Sequence, residues 1–352
     1  MRQKNTRDRV VPIQKDATAP RIIKKMYQDL AQNDWGAFTS ERSLRVGTDC
    51  SGMDAPIVAL QQLKIPFSHE FSSEIDQHCV ATIRANFAPK VLFGDMTKRR
   101  IQDIPDIDLY VCGFPCQPFS MIGKRKGVED PRGTLFWECL RVIRNKKPMV
   151  FVLENVRGLL SIDRGNTFRN IMNALESMQT YRTDWKILNT CDYGIPQSRK
   201  RIFIVGIRKD MCRRPLQWPR PVTCAPLEHF VDWRDEGNVK TLPHFVQGTA
   251  VFHATQRSVV FVNLSDKHNA HVNADVLCPC LLTCAHNYYC VPMKRYMTPT
   301  EMRWLQGFPA GFVDPNSKSR SQQLIANTMS VNVLVFLFKS IAQTLRSDPD
   351  ED

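Results

Sequence analysis

Short apolar runs alternate with stretches of helical spacing from Ser43 to Arg208, and that alternation predicts the fold. Leu44-Arg45-Val46-Gly47-Thr48 reads as a strand opening into a turn of small residues, Asp49-Cys50-Ser51-Gly52. A helical pattern follows from about Asp54 to Leu63. Phe67 to Ser73 is a second strand, ending in Glu74-Ile75-Asp76 before a helix that runs to Phe87. Leu92-Phe93-Gly94-Asp95 makes a short strand and turn. Ile107 to Cys112 ends at Gly113, Met149 to Leu153 ends at Glu154, and Ile202 to Ile207 is a further strand. Strands alternating with helices of roughly ten or more residues imply an α/β fold. The expected architecture is a Rossmann-like, mostly parallel sheet with helices on both faces. Ligands bind such sheets beyond the carboxyl ends of the strands. Asp49, Glu74, Asp95, Cys116 and Glu154 all follow predicted strands, which gathers them at one pocket.

Outside this block the texture changes. Residues 1–42 are polar and rich in Arg and Lys, broken by Pro12 and Pro20, and read as a flexible basic arm with a short helix at Arg21 to Leu30. The α/β block spans residues 43–208. Residues 209–290 lose periodicity around Pro215, Pro219, Pro221 and Pro226 and read as a small, irregular domain. Residues 291–346 return to helical texture, ending in an apolar helix from Val331 to Leu345, before an acidic tail at 347–352.

Charge adds a partner. Lys and Arg number 48 against 35 Asp and Glu, a formal charge of +13. A merely soluble basic protein would show the same balance, but a polyanion is the better reading, because phosphate neutralisation supplies most sequence-independent nucleic-acid affinity. The N-terminus, Met1-Arg2-Gln3-Lys4, lacks the apolar run of a secretory signal, and no stretch approaches the ~18 apolar residues of a membrane span. Cys112 and Cys139 sit in apolar segments where a reduced thiol packs as a small hydrophobe. The expectation is an intracellular monomer, nuclear if eukaryotic and otherwise cytoplasmic.

The chemistry centres on Gly113-Phe114-Pro115-Cys116-Gln117-Pro118-Phe119-Ser120, directly after a buried strand. Each proline fixes its own φ and restricts its predecessor, so Cys116 sits on a stiff turn facing the pocket. A buried inert cysteine would satisfy the same local pattern. The following residues, 121–132, are basic and punctuated by glycine, which suits a lid closing over a phosphate backbone. Glu154 stands beyond a fully apolar strand, where desolvation raises a carboxyl toward neutrality. A carboxylate satisfying helix N-terminal amides is the bland alternative.

In this order the segments resemble the cytosine-5 DNA methyltransferase family over residues 44 to 340. The resemblance is carried by Pro115-Cys116-Gln117-Pro118-Phe119-Ser120, Glu154-Asn155-Val156 and Gln197-Ser198-Arg199-Lys200-Arg201. It continues in Gly307-Phe308-Pro309 and Asn327-Thr328-Met329-Ser330-Val331-Asn332. It implies a class I methyltransferase fold, S-adenosylmethionine as cofactor and double-stranded DNA as partner, with a flipped cytosine as substrate. Cys116 would be the nucleophile, Glu154 would hold the cytosine ring nitrogen 3 and exocyclic amine, and Arg201 would support the flipped base or its backbone. Arg199, grouped with the catalytic set, would brace the site together with Gln197. The cofactor would be held by Asp49, Cys50, Ser51, Gly52, Met53, Glu74, Ile75, Asp95, Met96, Pro115, Asn327 and Ser330. Glu74 would take the ribose hydroxyls, Ile75 would pack on the adenine, and Asp95 would accept from its amino group. The family's glycine-rich turn departs here to Ser51-Gly52-Met53-Asp54-Ala55, preceded by Thr48 in place of the usual aspartate.

Cys278, Cys280, Cys284, His286 and Cys290 invite a zinc reading, but their spacing lacks paired Cys-x2-Cys units, so no metal is expected. Target contacts are expected within 209–290, with Arg213, Arg214, Gln256, Arg257 and Lys267 as candidates. Two other functions remain open: a tRNA-methylating enzyme of the same fold, and a non-catalytic nucleic-acid-binding regulator.

Overall fold

The computed structural model describes residues 18–31, 43–115, 134–235, 261–263, 277–283 and 288–345. The strands in chain order are β1 (Leu44–Asp49), β2 (Phe67–Ser73), β3 (Val91–Phe93), β4 (Leu109–Cys112), β5 (Val150–Val156), β6 (Tyr181–Asn189), β7 (Gln197–Ser198), β8 (Lys200–Arg208), β9 (Phe261–Asn263), β10 (Cys278–Pro279), β11 (Tyr288–Cys290) and β12 (Arg295–Tyr296). The helices are α1 (Thr18–Ala31), α2 (Ala55–Leu63), α3 (Gln77–Asn86), α4 (Thr134–Lys146), α5 (Asn166–Glu176), α6 (Pro299–Leu305), α7 (Lys318–Asn327) and α8 (Val331–Ala342).

A seven-stranded sheet runs in the order β3-β2-β1-β4-β5-β8-β6. Pairs from β3 through β5 are parallel, whereas β8 is antiparallel to both β5 and β6. The sheet is entered at β1, and the chain winds outward to β3, then crosses back to β4. The crevice at the carboxyl ends of β1 and β4 is therefore the topological switch point where such sheets bind ligands.

Both faces of the sheet are covered, and period-two alternation explains how. Leu109, Val111, Val150 and Val152 enter one apolar layer with residues of α1, α2 and α8. Their neighbours Tyr110, Cys112, Phe151 and Leu153 enter the opposite layer with residues of α4 and α5. A strand buried on both faces reads as a continuous apolar run, which is why these strands were visible in the sequence. Two glycines make room for rings across the sheet: a Cβ on Gly47 would lie 2.2 Å from Phe71, and one on Gly206 would lie 2.1 Å from Phe151.

Three expectations change. The helix expected at 21–30 within a flexible arm spans Thr18–Ala31 and is packed: Ala19, Ile23 and Tyr27 form a buried stripe at helical spacing, and Tyr27 Oη donates to Gly307 O at 2.7 Å. The stretch Lys318–Ala342 is long and apolar enough to cross a membrane by length and composition, yet it lies mostly buried inside the fold as core. Finally, the described parts of 209–290 share the main core: Leu227, Phe230, Val231, Phe261, Cys278 and Leu281 belong to the same apolar layer as α2 and α8. A buried bidentate pair fastens the segment to the α/β block. Arg295 donates to both carboxylate oxygens of Glu301 at 2.9 and 2.7 Å, and to the carbonyls of Asp232 and Asp235.

Candidate active site

A cavity of about 820 Å³ opens at the carboxyl ends of the parallel strands, within the size range of small-molecule sites. Its wall is built from the ends of β1, β2, β3, β4 and β5, the start of β8 and the C-terminus of α7. Of the sequence-predicted residues, Cys50, Gly52, Glu74, Ile75, Asp95, Met96, Pro115, Glu154, Arg199, Arg201 and Asn327 all line it. Cys116 and the expected lid at 121–132 lie outside the described residues.

One half of the cavity carries the polar machinery. Glu154 and Arg201 are diagonal neighbours on paired strands, since Glu154 faces Phe203 and Val156 faces Arg201. Arg201 Nε lies 3.2 Å from Glu154 Oε1, with side chains 16% and 12% exposed. Burial raises the Glu154 carboxyl above its ordinary value, and the guanidiniums of Arg201 and then Arg199 pull it back only in part. Gly113 matters here because a Cβ would lie 2.8 Å from Met329 Cε and 3.4 Å from Glu154 Oε2. Asn155, not singled out by the sequence, is 3% exposed and its Nδ2 donates to Phe114 O at 2.8 Å. That bond ties the end of β5 to the segment leading into Pro115 and Cys116.

Arg199 braces. It is 2% exposed and donates to the carbonyls of Leu281, Ala326 and Thr328 at 3.2, 3.0 and 2.8 Å. Gln197 is fully buried, donating to Leu305 O at 2.7 Å and accepting from Leu281 N at 3.2 Å. Together they hold β10 and the α7 terminus against the mouth of β8.

The other half fits a nucleoside. Glu74 Oε2 accepts from Gly52 N at 2.8 Å, and its Oε1 accepts from Ile75 N and Asp76 N, both at 2.9 Å. Three backbone donors fix the carboxylate yet leave acceptor capacity for a pair of hydroxyls. Ile75 beside it is 71% exposed, a large apolar side chain held at the cavity edge with nothing covering it. Gly52 and Gly94 both line the cavity, and a Cβ on either would meet nothing within 4 Å, so the backbone forms an open cradle. Asp95 accepts from Thr97 N at 3.0 Å and Thr97 Oγ1 at 2.7 Å, and these bonds lower its carboxyl below the ordinary value. Asp76 also lines the cavity; it caps α3 by accepting from His78 N and pairs with Arg320 of α7. An aspartate immediately before a helical pattern was its sequence signal.

Of the remaining predicted cofactor residues, Asp49 and Ser51 line a smaller pocket that shares Cys50, Gly52, Gly113, Glu154 and Asn327 with the cavity, and Met53 and Ser330 line neither. Asp49 is 1% exposed and accepts from Arg99 and, at 2.6 Å, from Tyr110 Oη, so its charge is met inside the fold. Ser51 is a bolt between turn and sheet, bonded to Thr48 and to the backbone of Ser73. Met53 is fully buried in the apolar core. Ser330 stands at the start of α8 without a side-chain capping bond, donating instead to Gln306 Oε1 at 2.7 Å with Thr190 Oγ1 2.8 Å away. Arg213 and Arg214, expected near the target, sit at the other end of the sheet, where Arg213 N and Arg214 Nε donate to the carbonyls of Thr344 and Gln343. Gln256, Arg257, Lys267, Cys284 and His286 fall outside the described residues. Among the described residues, no group of three His, Cys, Asp or Glu side chains is placed to hold a metal ion.

A family model described as C-5 cytosine-specific DNA methylase matches residues 50–256. The chain is 33% identical over 306 residues to the type II methyltransferase M.DsaV of Dactylococcopsis salina, covering 81% of this chain and 83% of that protein. It is 35% identical over 274 residues to M.NgoBI of Neisseria gonorrhoeae, covering 75% and 83%. Among solved structures, a DNA modification methyltransferase encoded within an E. coli prophage superposes with a TM-score of 0.62 at 20% identity, covering 86% of this chain and 99% of that one. The Dnmt2 methyltransferase of S. pombe superposes with a TM-score of 0.58 at 21% identity, covering 84% and 97%.

Proposed function

The chain belongs to the C-5 cytosine-specific DNA methylase family, and on that premise we propose how its cavity divides the work of a DNA cytosine-5 methyltransferase. Cys116 is the nucleophile, Glu154 the acid beside it, and the Glu74 half of the cavity holds S-adenosylmethionine. Double-stranded DNA is the substrate, read from the family and from the formal charge of +13.

Carbon 5 of cytosine is a poor nucleophile until the ring is made electron-rich. The Cys116 thiolate adds to carbon 6 while Glu154, whose carboxyl burial shifts toward the protonated form, gives its proton to ring nitrogen 3. The product is an enamine whose carbon 5 attacks. Bound S-adenosylmethionine supplies an electrophilic methyl group. Loss of the proton from carbon 5 then lets the Cys116 sulfur leave as thiolate while nitrogen 3 returns its proton to Glu154, which restores the neutral aromatic ring. Neither step reaches a base stacked in a duplex, so the target must be extruded. Arg201 keeps Glu154 oriented and places a positive charge where the base or its phosphate would lie. Glu74, Ile75, Gly52 and Asp95 are assigned to the ribose, adenine, methionine and adenine-amino portions of the cofactor. The described cysteines are free thiols, which fits an enzyme working in a reducing compartment.

The observation that carries this reading is the shared cavity: a desolvated acid paired to arginine at one end, a cradle with a fixed carboxylate at the other. Its test is trapping on duplex DNA carrying 5-fluorocytosine, with tritiated methyl donor. A stable adduct, lost in Cys116→Ala while cofactor affinity persists, is expected. Label entering tRNA alone, or turnover by Cys116→Ala, would overturn it.

A further inference from the structure

The turn between β1 and α2 adopts left-handed backbone at alternate positions: Cys50 at φ 47°, Gly52 at φ 56° and Asp54 at φ 57°. Glycine holds that region freely, whereas a residue with a Cβ needs support. Asp54 is also the N-cap of α2, a place where a carboxylate ordinarily accepts an amide of the first turn. Pro56 removes one of those amides, and the Asp54 side chain makes no capping bond.

It turns inward instead. Ser72 Oγ donates to Asp54 Oδ2 at 2.6 Å, and His69 Nε2 stands 3.5 Å from that oxygen and 2.8 Å from Ser72 Oγ. Thr48 Oγ1 donates to Ser72 Oγ at 3.3 Å and lies 2.8 Å from Ser51 Oγ, which accepts from Ser73 N at 3.0 Å. A chain of polar contacts thus runs from the helix cap through β2 and back to the cavity turn. Asp54 is fully buried, and both its Oδ1 and His69 Nδ1 lack partners. Native proteins seldom tolerate such orphaned groups without a use.

We propose that Asp54 is a positioning residue for cofactor capture: anchored by Ser72, it holds the left-handed turn whose Gly52 lines the cavity, and the cofactor binds the form in which that carboxyl is protonated. The link to the cavity is direct, because Gly52 N also fixes Glu74 Oε2. Burial pushes the Asp54 carboxyl up to about 7, against the lowering effect of the Ser72 and Thr48 hydroxyls. The titratable groups acting on it are His69 and Glu74. Glu74 raises it further, and His69, lowered to about 4 by burial, is neutral there and supplies no counter-charge. Ionised Asp54 would leave a bare charge under the turn, and the turn must open to hydrate it.

The inference rests on the reading of the cavity as an S-adenosylmethionine site. Calorimetry of the full chain with S-adenosylmethionine, between about pH 6 and about pH 8.5, tests both. Wild type should bind with an affinity that falls by up to about tenfold per pH unit above a midpoint near 7. Asp54→Asn, neutral and of the same shape, should bind with the fall removed. Ser72→Ala removes a bond that favours the ion, so its midpoint should move to higher pH; this variant decides the matter if Asp54→Asn does not fold. An unaltered fall in Asp54→Asn, an unmoved midpoint in Ser72→Ala, or a pH-independent wild type overturns the role of Asp54 alone. Absence of binding by wild type at every pH overturns the cofactor reading and this inference with it.

Discussion

Arg201 Nε reaches Glu154 Oε1 at 3.2 Å across two antiparallel strands, and both side chains are mostly withdrawn from water. The pair is a compromise between two forces on one carboxyl. Desolvation favours the neutral acid and outweighs the arginines, so Glu154 stays above its ordinary value although two guanidiniums act on it.

Replacing Arg201 by methionine removes one of the two charges that lower Glu154. If Glu154 acts as proton donor, the activity it supports is present below its pKa and lost as pH rises through it. Arg201→Met should therefore move the falling limb of the kcat profile to higher pH while lowering the maximum. Glu154→Gln should reduce kcat by about 10²–10⁴-fold at all pH values, with cofactor affinity unchanged by calorimetry. A limb that stays in place in Arg201→Met would assign the titration to another group.

Asn155 is the rivet between β5 and the segment entering Cys116. Asn155→Ala leaves Phe114 O without its 2.8 Å donor in a buried setting, a loss of about 1–3 kcal/mol. Because the bond positions Phe114 rather than the cofactor half, kcat should fall and the S-adenosylmethionine dissociation constant should not. Steady-state kinetics beside calorimetry separates the two.

The sequence showed those parts of the fold whose signal is local. Met149 to Leu153 is buried on both faces, so the strand announced itself as an apolar run with Glu154 at its end. Glu74 was legible for the same reason, at the end of β2. What stayed hidden depends on partners distant in the chain. Arg99 and Tyr110, which bind the Asp49 carboxylate, are on other elements. Ser330 faces Thr190 and Gln306, and Arg214 the end of α8, through contacts that no spacing rule reports. Helix α1 carried a readable apolar stripe, but the basic residues between its buried positions concealed that it docks.

That docking is measurable. Tyr27→Phe removes the 2.7 Å bond to Gly307 O while keeping the ring, and should cost about 1 kcal/mol of unfolding free energy in urea. Gly307→Ala should cost more. Its φ of 82° disfavours a side chain, and the added Cβ would lie 2.6 Å from Tyr27 Oη and 2.9 Å from Asn332 N. If Tyr27→Phe is neutral while Gly307→Ala is severe, the backbone at Gly307 matters and the docked hydroxyl does not.

The buried pair under the turn between β1 and α2 makes a stability prediction that does not depend on any ligand. Asp54 is raised from 3.8 to about 7, so its contribution is fully present below about pH 4 and is lost as pH rises through about 7. His69 is lowered from 6.5 to about 4, so its contribution is present above about pH 6.5 and is lost as pH falls through about 4. Between those limits the folded pair carries one proton, on Asp54, and the unfolded pair also carries one, on His69. The two slopes oppose each other, since the dependence of stability on pH follows the difference in bound protons. Removing either partner exposes the other. Relative to wild type, Asp54→Asn should gain stability with rising pH between about 4 and about 6.5, by up to about 1.4 kcal/mol per unit. His69→Gln should lose stability with rising pH over the same window. Referring each variant to wild type subtracts the other carboxylates, which titrate alike in all three proteins. Urea titrations at a series of pH values would show two difference curves of opposite sign. Parallel curves would mean that burial does not hold the Asp54 carboxyl above and the His69 imidazole below their ordinary values, and would overturn the assignment of both shifts.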